Sequence, residues 1–279
     1  MRNGAEQSAR RDVRSVAAIY FPLTFIWSWA FWWAATSVSG GAGSPAGAAL
    51  VLIGVSGPAV AAVILTARER GREGVTRLLS LALRLPRSPW PLLTAAGFML
   101  AVKLIASLAV RVATGVWPPV GDTPLVLMLV GTIVSTPVQA GEELGWRGYA
   151  LPRLALRFGL GFASVILGVA WALWHLPHFF IPGASLFGQS LPLYVLQVTG
   201  LSIVIACVYW RSGGSLLTVM LMHAAINNTK DIVPSASLAG PTPFTFAAST
   251  VAWTSCAVIW VAAAGCLVAM RGASLEDRK

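Results

Sequence analysis

The sequence predicts an all-α membrane protein, built as a bundle of about eight transmembrane helices. Of its 279 residues, 56% are hydrophobic and only 11% are charged, whereas soluble domains average about 25% charged residues. Apolar segments of about 20 residues, the length that crosses a bilayer, recur along the chain. Basic residues cluster between alternate apolar segments, which is typical of cytoplasmic loops. A soluble chain of this length could not bury so much apolar surface in one core.

The eight predicted spans follow one another without an internal repeat, so we expect one polytopic domain over residues 1–279. The first span lies close to the second and has a long apolar region, which favours a signal anchor over a cleaved signal peptide. The seventh is the shortest. In chain order, the spans are residues 16–37, 47–66, 90–112, 124 to beyond 147, 161–181, 191–210, 215–228 and 244–270.

The basic residues predict that both termini are cytoplasmic. Seventeen of the 20 Lys and Arg residues lie before the first span, in connections 67–89, 147–160 and 211–214, or after residue 270. The net charge of +10 therefore indicates anionic membrane lipid as a partner, and not nucleic acid. The 17 Arg residues against 3 Lys residues indicate a GC-rich genome and a bacterial cell membrane. Lys103 and Arg111 fall within the third span, and the sequence assigns them no role.

The segment from Ala140 to Tyr149 contains two adjacent carboxylates near the end of a span. Glu143 and Arg147 are four residues apart, so they share a helix face and can pair. Glu142 then points about 100° away and is free to face another group. Two carboxylates in a low-dielectric site cannot both ionise easily, which suits a general base. Alternatively, the segment could simply end a helix at the cytoplasmic surface.

Two further segments bring imidazoles into apolar spans. His175 lies deep in the fifth span, three residues before His178, which we expect to be a packing residue near the span end. His223 and Asn227 are spaced to share a helix face, where they could hold a water or stabilise an oxyanion. Each could instead form an interhelical hydrogen bond. Ionisable residues within membranes are costly and therefore mark functional sites.

All three histidines and both membrane glutamates fall in these three segments, which favours one shared site. Their depths do not match in straight helices. Glu142 is about 27 Å along its helix from Pro124, near the cytoplasmic edge, whereas His175 lies in the outer half. The site therefore requires tilting, a kink at Pro137, or a fourth helix that continues beyond Arg147. We expect a water-filled cavity open to the cytoplasm.

The motifs Glu142-Glu143-x-x-x-Arg147, Trp171-x-x-x-His175 and His223-x-x-x-Asn227 resemble those of the CPBP intramembrane proteases. This family includes type II CAAX prenyl proteases and proteins similar to lysostaphin resistance protein A. The resemblance covers roughly residues 90–230, with the motifs in the family's order and spacing. One departure is Trp171, where the family pattern usually has Phe, and we expect this aromatic ring to form a wall of the site.

The resemblance implies a helical bundle that cleaves a membrane-associated peptide or protein, with a prenylated CAAX-type substrate as one candidate. Glu142 would activate water and His175 would help to hold it. His223 and Asn227 would orient the water and stabilise the oxyanion, and Glu143 and Arg147 would support the site. Zn²⁺ could be bound by Glu142, His175 and His223 with an open fourth position, or the same residues could polarise water without a metal.

Two other functions compete with an endopeptidase. A catalytically silent immunity or scaffold protein could keep the same fold. A proton-coupled transporter could use the buried glutamates, but the internal repeat expected of such a transporter is missing.

Overall fold

The computed structural model describes residues 15–235 and 242–273. The predicted cytoplasmic location of both termini rests partly on residues outside the described part, namely Arg2, Arg10, Arg11, Arg14, Arg278 and Lys279. Regular structure in the described part is entirely helical. A π-helical turn at Val16–Tyr20 precedes the first α-helix. The α-helices are α1 Phe21–Thr36, α2 Pro45–Val55, α3 Gly57–Ser80, α4 Trp90–Thr114, α5 Leu125–Ser135, α6 Ala140–Gly145, α7 Leu151–Trp174, α8 Leu191–Arg211, α9 Leu216–Thr229 and α10 Thr250–Ala269.

Serine hydroxyls begin four of these helices. Ser44, Ser190, Ser215 and Ser249 each accept a hydrogen bond from the backbone N–H three residues later. Such a cap satisfies a donor that has no partner within the helix. In α2 and α8 a proline also stands in the first turn, where its missing N–H costs nothing. These local signals fix where the helices around the site begin.

The fold class is confirmed as an all-helical membrane protein. Among the described residues, five helices are long and apolar enough to cross a membrane, or six when the bent pair Pro45–Val55 and Gly57–Leu83 counts as one. One of the five, Pro137–Trp174, is 38 residues long and contains parts of two predicted spans. With α5 and α9, which are shorter than a full span, the apolar segments number roughly eight.

The run Pro137–Trp174 reverses direction at Gly159. A straight helix would separate residues 142 and 171 by about 43 Å, yet the Trp171 indole nitrogen lies 2.8 Å from a Glu142 carboxylate oxygen. Gly159 has φ 72° and ψ 160°, a backbone region that is essentially restricted to glycine. The predicted fourth and fifth spans are thus separate and antiparallel. This reversal resolves the mismatch in depth between Glu142 and His175.

Some span bounds differ from the prediction. The second span bends by 41° between α2 and α3, where Gly57 and Pro58 follow Ser56. The fourth is interrupted by a 3-10 turn at Pro137–Gln139, the expected kink. The fifth ends as an α-helix at Trp174 and continues as a 3-10 turn, Leu176–Phe179. The eighth begins at Thr250, because the residues after Phe244 form turns and extended backbone.

Candidate active site

The two adjacent glutamates lie on α6 and point to different partners. Glu143 is fully buried and receives hydrogen bonds from Arg147 Nη1 at 2.9 and 3.2 Å. The pair predicted from the four-residue spacing therefore forms. Arg147 is also fully buried, and its guanidinium carbon lies 4.6 Å from the centre of the Trp171 ring. Arg147 thereby connects the Glu143 carboxylate to an aromatic wall of the site.

Glu142 is buried, and two indoles hold one of its carboxylate oxygens. Trp171 Nε1 donates to Oε2 at 2.8 Å, and Trp146 Nε1 donates to the same atom at 3.4 Å. The other oxygen, Oε1, lies 3.9 Å from Nε2 of His223. Hydrogen bonds to a carboxylate favour its charged form and fix its orientation. Glu142 thus presents to His223 an oxygen that accepts no hydrogen bond from the described part of the chain.

His223 is oriented by the second glutamate. Its Nδ1 donates to Glu143 Oε1 at 2.8 Å, since a carboxylate can only accept. In the neutral ring, Nε2 is then the unprotonated nitrogen, and it faces Glu142. A carboxylate on the far nitrogen is how proteins commonly orient a functional imidazole. Each glutamate therefore engages a different nitrogen of the same ring.

His175 is the C-cap residue of α7. Its two ring nitrogens have the same donor and acceptor roles as those of His223. Its Nδ1 donates to the Trp171 carbonyl at 2.9 Å, which leaves Nε2 as the acceptor in the neutral form. The ring packs edge-on against Trp174 and Tyr194, with centroids 4.7 and 5.5 Å away. These contacts fix the His175 ring against the wall of the site.

One cavity of about 400 Å³ connects the candidate residues. Glu142, Trp171, His175, His223 and Asn227 all line it. This volume is within the range of small-molecule and peptide side-chain pockets. The sequence-predicted residues are therefore brought together from three helices, α6, α7 and α9, with His175 at the C-terminal end of α7. The side of the membrane to which the cavity opens stays a prediction.

The two asparagines on α9 make different contacts. Asn227 has an exposed side chain on the cavity lining. Asn228 donates to Ser135 Oγ at 3.0 Å and to the Ala224 carbonyl at 2.8 Å, which ties α9 to α5. The sequence left the use of Asn228 open, and in the structure it is a packing contact.

Sequence reasoning missed three aromatic contributions. Trp171 was predicted only as a wall, but it is also the nearer donor to Glu142. Trp146 is the second donor, and its position four residues after Glu142 could have indicated this. Tyr194 lines the cavity from α8, and no sequence signal links it to the motifs. His178 also lines the cavity and packs edge-on against Trp32 at 4.3 Å.

The predicted zinc ligands are only partly brought together. Glu142 Oε1 and His223 Nε2 face each other 3.9 Å apart, and both are donor types that bind Zn²⁺. Within residues 15–235 and 242–273, however, no group of three or more His, Cys, Asp or Glu side chains is arranged to hold a metal ion. The three-ligand set of Glu142, His175 and His223 is therefore not assembled in this arrangement.

The fold and the site define a polytopic helical membrane protein with a buried centre of two carboxylates and imidazole. Residues 122–229 match the family described as type II CAAX prenyl endopeptidase Rce1-like. The chain is also 32% identical over 98 residues to CAAX prenyl protease 2 of Methanococcus maripaludis. That match covers 33% of this chain and 36% of the relative, so just over a third of the relative's length is matched. The predicted resemblance to the CPBP family is confirmed.

Proposed function

We propose that the protein is an intramembrane endopeptidase that hydrolyses a peptide bond with water activated by Glu142. The observation that carries this proposal is the Glu142 oxygen facing His223 Nε2 at 3.9 Å, on the lining of a cavity. The distance is too long for a direct hydrogen bond. A water bonded to both atoms at about 2.8 Å would subtend roughly 90° at its oxygen, which is acceptable geometry for two such bonds.

In the proposed reaction, Glu142 takes a proton from water as the oxygen attacks the peptide carbonyl carbon. The two O–H groups of the water would donate to Glu142 Oε1 and to His223 Nε2, which is an acceptor in the neutral ring. His175 Nε2 is also an acceptor in its neutral form, so on the same cavity lining it would accept from a substrate N–H. The carboxamide of Asn227 is a neutral donor on the cavity lining, on the same helix as His223, and would stabilise the oxyanion. The proton held by Glu142 then passes to the leaving amine as the C–N bond breaks.

Surrounding residues keep this constellation in place. Trp171 and Trp146 hold Glu142 Oε2, so that Oε1 points towards the water position. Glu143 holds His223 Nδ1 while Arg147 neutralises the Glu143 charge. Preorganised groups of this kind need little rearrangement in the transition state.

The proposed substrate is a membrane-associated peptide or protein. The similarity to a CAAX prenyl protease makes a prenylated CAAX-type peptide the first substrate to try. The cavity is lined by apolar residues as well as by the polar centre, among them Val51, Met99, Val198 and Ile226. Such a lining suits a substrate that arrives from the lipid phase.

The test compares wild type with Glu142→Gln, purified in nanodiscs, on a fluorescent farnesylated CAAX peptide. Removal of a general base should lower kcat by about 10²- to 10⁴-fold. The exposed Glu73→Gln is the matched control, and it should cleave at the wild-type rate. Both variants should keep the wild-type Tm. Equal rates for wild type and Glu142→Gln would refute the assigned base.

The metal question is tested with the same proteins. Each is assayed after dialysis against a strong chelator and again after addition of Zn²⁺. Activity that survives the chelator would support a glutamate mechanism without metal. Activity that is lost and then restored by Zn²⁺ would instead assign a ligand role to the Glu142 and His223 pair.

The catalytically silent alternative makes a different prediction. A scaffold or immunity protein would keep its protective or binding function in Glu142→Gln, because neither depends on an activated water. Loss of that function together with cleavage would count against this alternative.

A further inference from the structure

The connection between α3 and α4 leaves large apolar side chains exposed. Leu79, Leu83 and Leu85 are 45%, 81% and 69% exposed. They lie beyond Gly71, where a positive φ of 61° breaks α3, so they belong to the connection and not to the apolar first half of that helix. Leu79 and Leu83 are four residues apart and therefore share one side of the helical part. Exposed apolar surface of this kind marks a contact with a membrane or with another protein.

Three arginines accompany these leucines. Arg72, Arg77 and Arg87 are exposed, and among the described residues none of their guanidinium groups has a hydrogen-bond or ion-pair partner. With Arg84 and the exposed Glu73, they give residues 72–89 a net charge of +3. A segment that exposes both leucine and arginine fits the boundary between anionic lipid headgroups and acyl chains.

Both ends of residues 72–89 are held at the membrane surface. The bent span of α2 and α3 brings the chain to this face, and α4, which is long enough to cross the membrane, leaves it from Trp90. Trp90 is exposed, and tryptophan is enriched where lipid meets water. This face is the one predicted to be cytoplasmic, where anionic lipids are concentrated. The lipid surface is thus already next to the exposed leucines, whereas a second protein would have to displace it.

The opposite side of the segment packs against the elements that carry the candidate catalytic residues. Leu78 is buried, and a Cβ placed on Gly148 would lie only 2.9 Å from its methyl carbon. Gly148 belongs to the π-helical turn Trp146–Ala150, which follows α6. The same Cβ would lie 3.2 Å from Leu216, the first residue of α9. The segment therefore meets the end of the glutamate motif and the start of the helix that carries His223.

Hydrogen bonds also join the segment to the start of α9. Arg84 Nη1 donates to the Gly213 carbonyl at 3.1 Å, and Ser215 Oγ donates to the Arg84 carbonyl. Ser215 is the N-cap of α9, and its Oγ accepts from the Thr218 N–H at 3.1 Å. A displacement of Arg84 would therefore disturb the cap of the helix that carries His223 and Asn227.

We propose that residues 72–89 dock onto the anionic leaflet of the membrane, and that this docking orders the start of α9. The exposed leucines enter the acyl boundary, while the three unpaired arginines bind the phosphates of lipid headgroups. Each arginine near an anionic surface strengthens binding by about fivefold, so the three together contribute about 10²-fold. The lipid surface thereby determines how firmly one half of the candidate site is held.

The test is amide hydrogen exchange of the full chain in nanodiscs of phosphatidylcholine, with and without phosphatidylglycerol. Phosphatidylglycerol should slow exchange of residues 72–85 and of residues 213–218 by about 10- to 100-fold, because docking holds both segments closed. High salt should remove most of this difference, since it screens the charges. Equal exchange in the two lipid compositions would overturn the proposal. Slower exchange of residues 72–85 alone would overturn the link to α9.

Two triple variants of equal net charge separate a local surface from the overall charge. The first removes the three unpaired guanidinium groups through Arg72→Gln, Arg77→Gln and Arg87→Gln. It should exchange equally in both lipid compositions. The control removes three other exposed arginines through Arg157→Gln, Arg211→Gln and Arg271→Gln. It should respond to phosphatidylglycerol as wild type does, and loss of the response in both variants would assign the effect to net charge and overturn the proposal.

The apolar half of the docking surface has its own test. Leu83→Ser should speed exchange of residues 72–85 in both lipid compositions, because burial of a leucine side chain in the acyl boundary does not depend on lipid charge. Unchanged exchange in Leu83→Ser would exclude insertion of this side chain. Exchange that ignores lipid but slows as protein concentration rises in detergent would assign this face to a second copy of the chain and overturn the proposal.

An effect on catalysis rests on the proposed peptidase function and is measured separately. Phosphatidylglycerol should raise the wild-type kcat on a saturating farnesylated peptide by about fivefold, the low end of coupling between two sites. The kcat of the first triple variant should not respond. An equal rise in both proteins would exclude this surface as the cause. Lipid-dependent exchange in a protein that cleaves nothing would count against the peptidase and leave the docking surface standing.

Discussion

Replacing Arg147 by methionine tests how the buried ion pair holds the site. Glu143 and Arg147 are both fully buried, with Nη1 and Oε1 2.9 Å apart. The variant leaves the Glu143 carboxylate without its counter-ion, and removing one partner of a buried pair costs about 3 to 5 kcal/mol. At roughly 2 to 4 °C for each kcal/mol, the Tm should fall by roughly 6 to 20 °C.

The double variant Glu143→Gln with Arg147→Met should recover most of that loss. A neutral pair of similar volume is often close to the native pair in stability, and Arg147 Nε and Nη2 have no acceptor among the described residues. The carboxamide oxygen that replaces the Glu143 carboxylate would still accept from His223 Nδ1. We therefore expect the double variant within about 2 kcal/mol of wild type. The difference from additivity measures the coupling between the two residues.

The assay is tryptophan fluorescence during heating, since the chain carries 12 tryptophans. All four members of the cycle are compared in one detergent. The partly exposed pair Glu69 and Arg153, with oxygen and nitrogen 2.5 Å apart, provides a control cycle with an expected coupling of about 0 to 1 kcal/mol. If Arg147→Met and the double variant melt at the same temperature, burial of the Glu143 charge is not what makes Arg147 necessary.

Three further predictions use single substitutions. Trp171→Phe keeps the aromatic wall but loses the 2.8 Å donor to Glu142, so kcat should fall roughly 10-fold at an unchanged Tm; an unchanged kcat would exclude the donor role. Asn227→Ala should lower kcat by about 10²- to 10³-fold without affecting Tm. Asn228→Ala should instead lower Tm through the lost bond to Ser135 of α5 and leave most activity; the reverse result would exchange their roles. Gly159→Ala should destabilise the folded protein by about 1 to 3 kcal/mol, because Gly159 has a positive φ. The control Gly265→Ala lies inside α10 with open space around it and should be neutral or stabilising. Equal Tm values for the two variants would contradict the reversal at Gly159.

The motif residues illustrate how much of the site could be predicted from the sequence. The spacing of Glu143 and Arg147 predicts their pairing, because residues four apart on a helix are neighbours. The same helical geometry predicts that Glu142 diverges from them, and in the structure it contacts Trp171 and faces His223. Relations of this kind depend only on the local period of one helix. Their roles in catalysis stay predictions until the variants are assayed.

Contacts between distant segments could not be derived in the same way. The Trp171 bond to Glu142 requires the chain to reverse at Gly159, and the period of either helix says nothing about a turn between them. The bond from His223 to Glu143 joins residues 80 positions apart. Lys103 was left without a role, because only the packing of α4 against the end of α9 places its ammonium on the cavity.

The sequence by itself determined that the chain is helical and membrane-embedded, since hydrophobicity, span length and charge distribution are local or summed properties. It also determined which few polar residues the membrane must accommodate. Only the tertiary structure decided which nitrogen of His223 meets each glutamate, which asparagine lines the cavity, and where the buried ammonium of Lys103 lies. Those relations depend on how helices bend and cross, as at Ser56, Pro137 and Gly159. Helical periodicity relates only residues within one helix, so it cannot predict contacts that form across such bends.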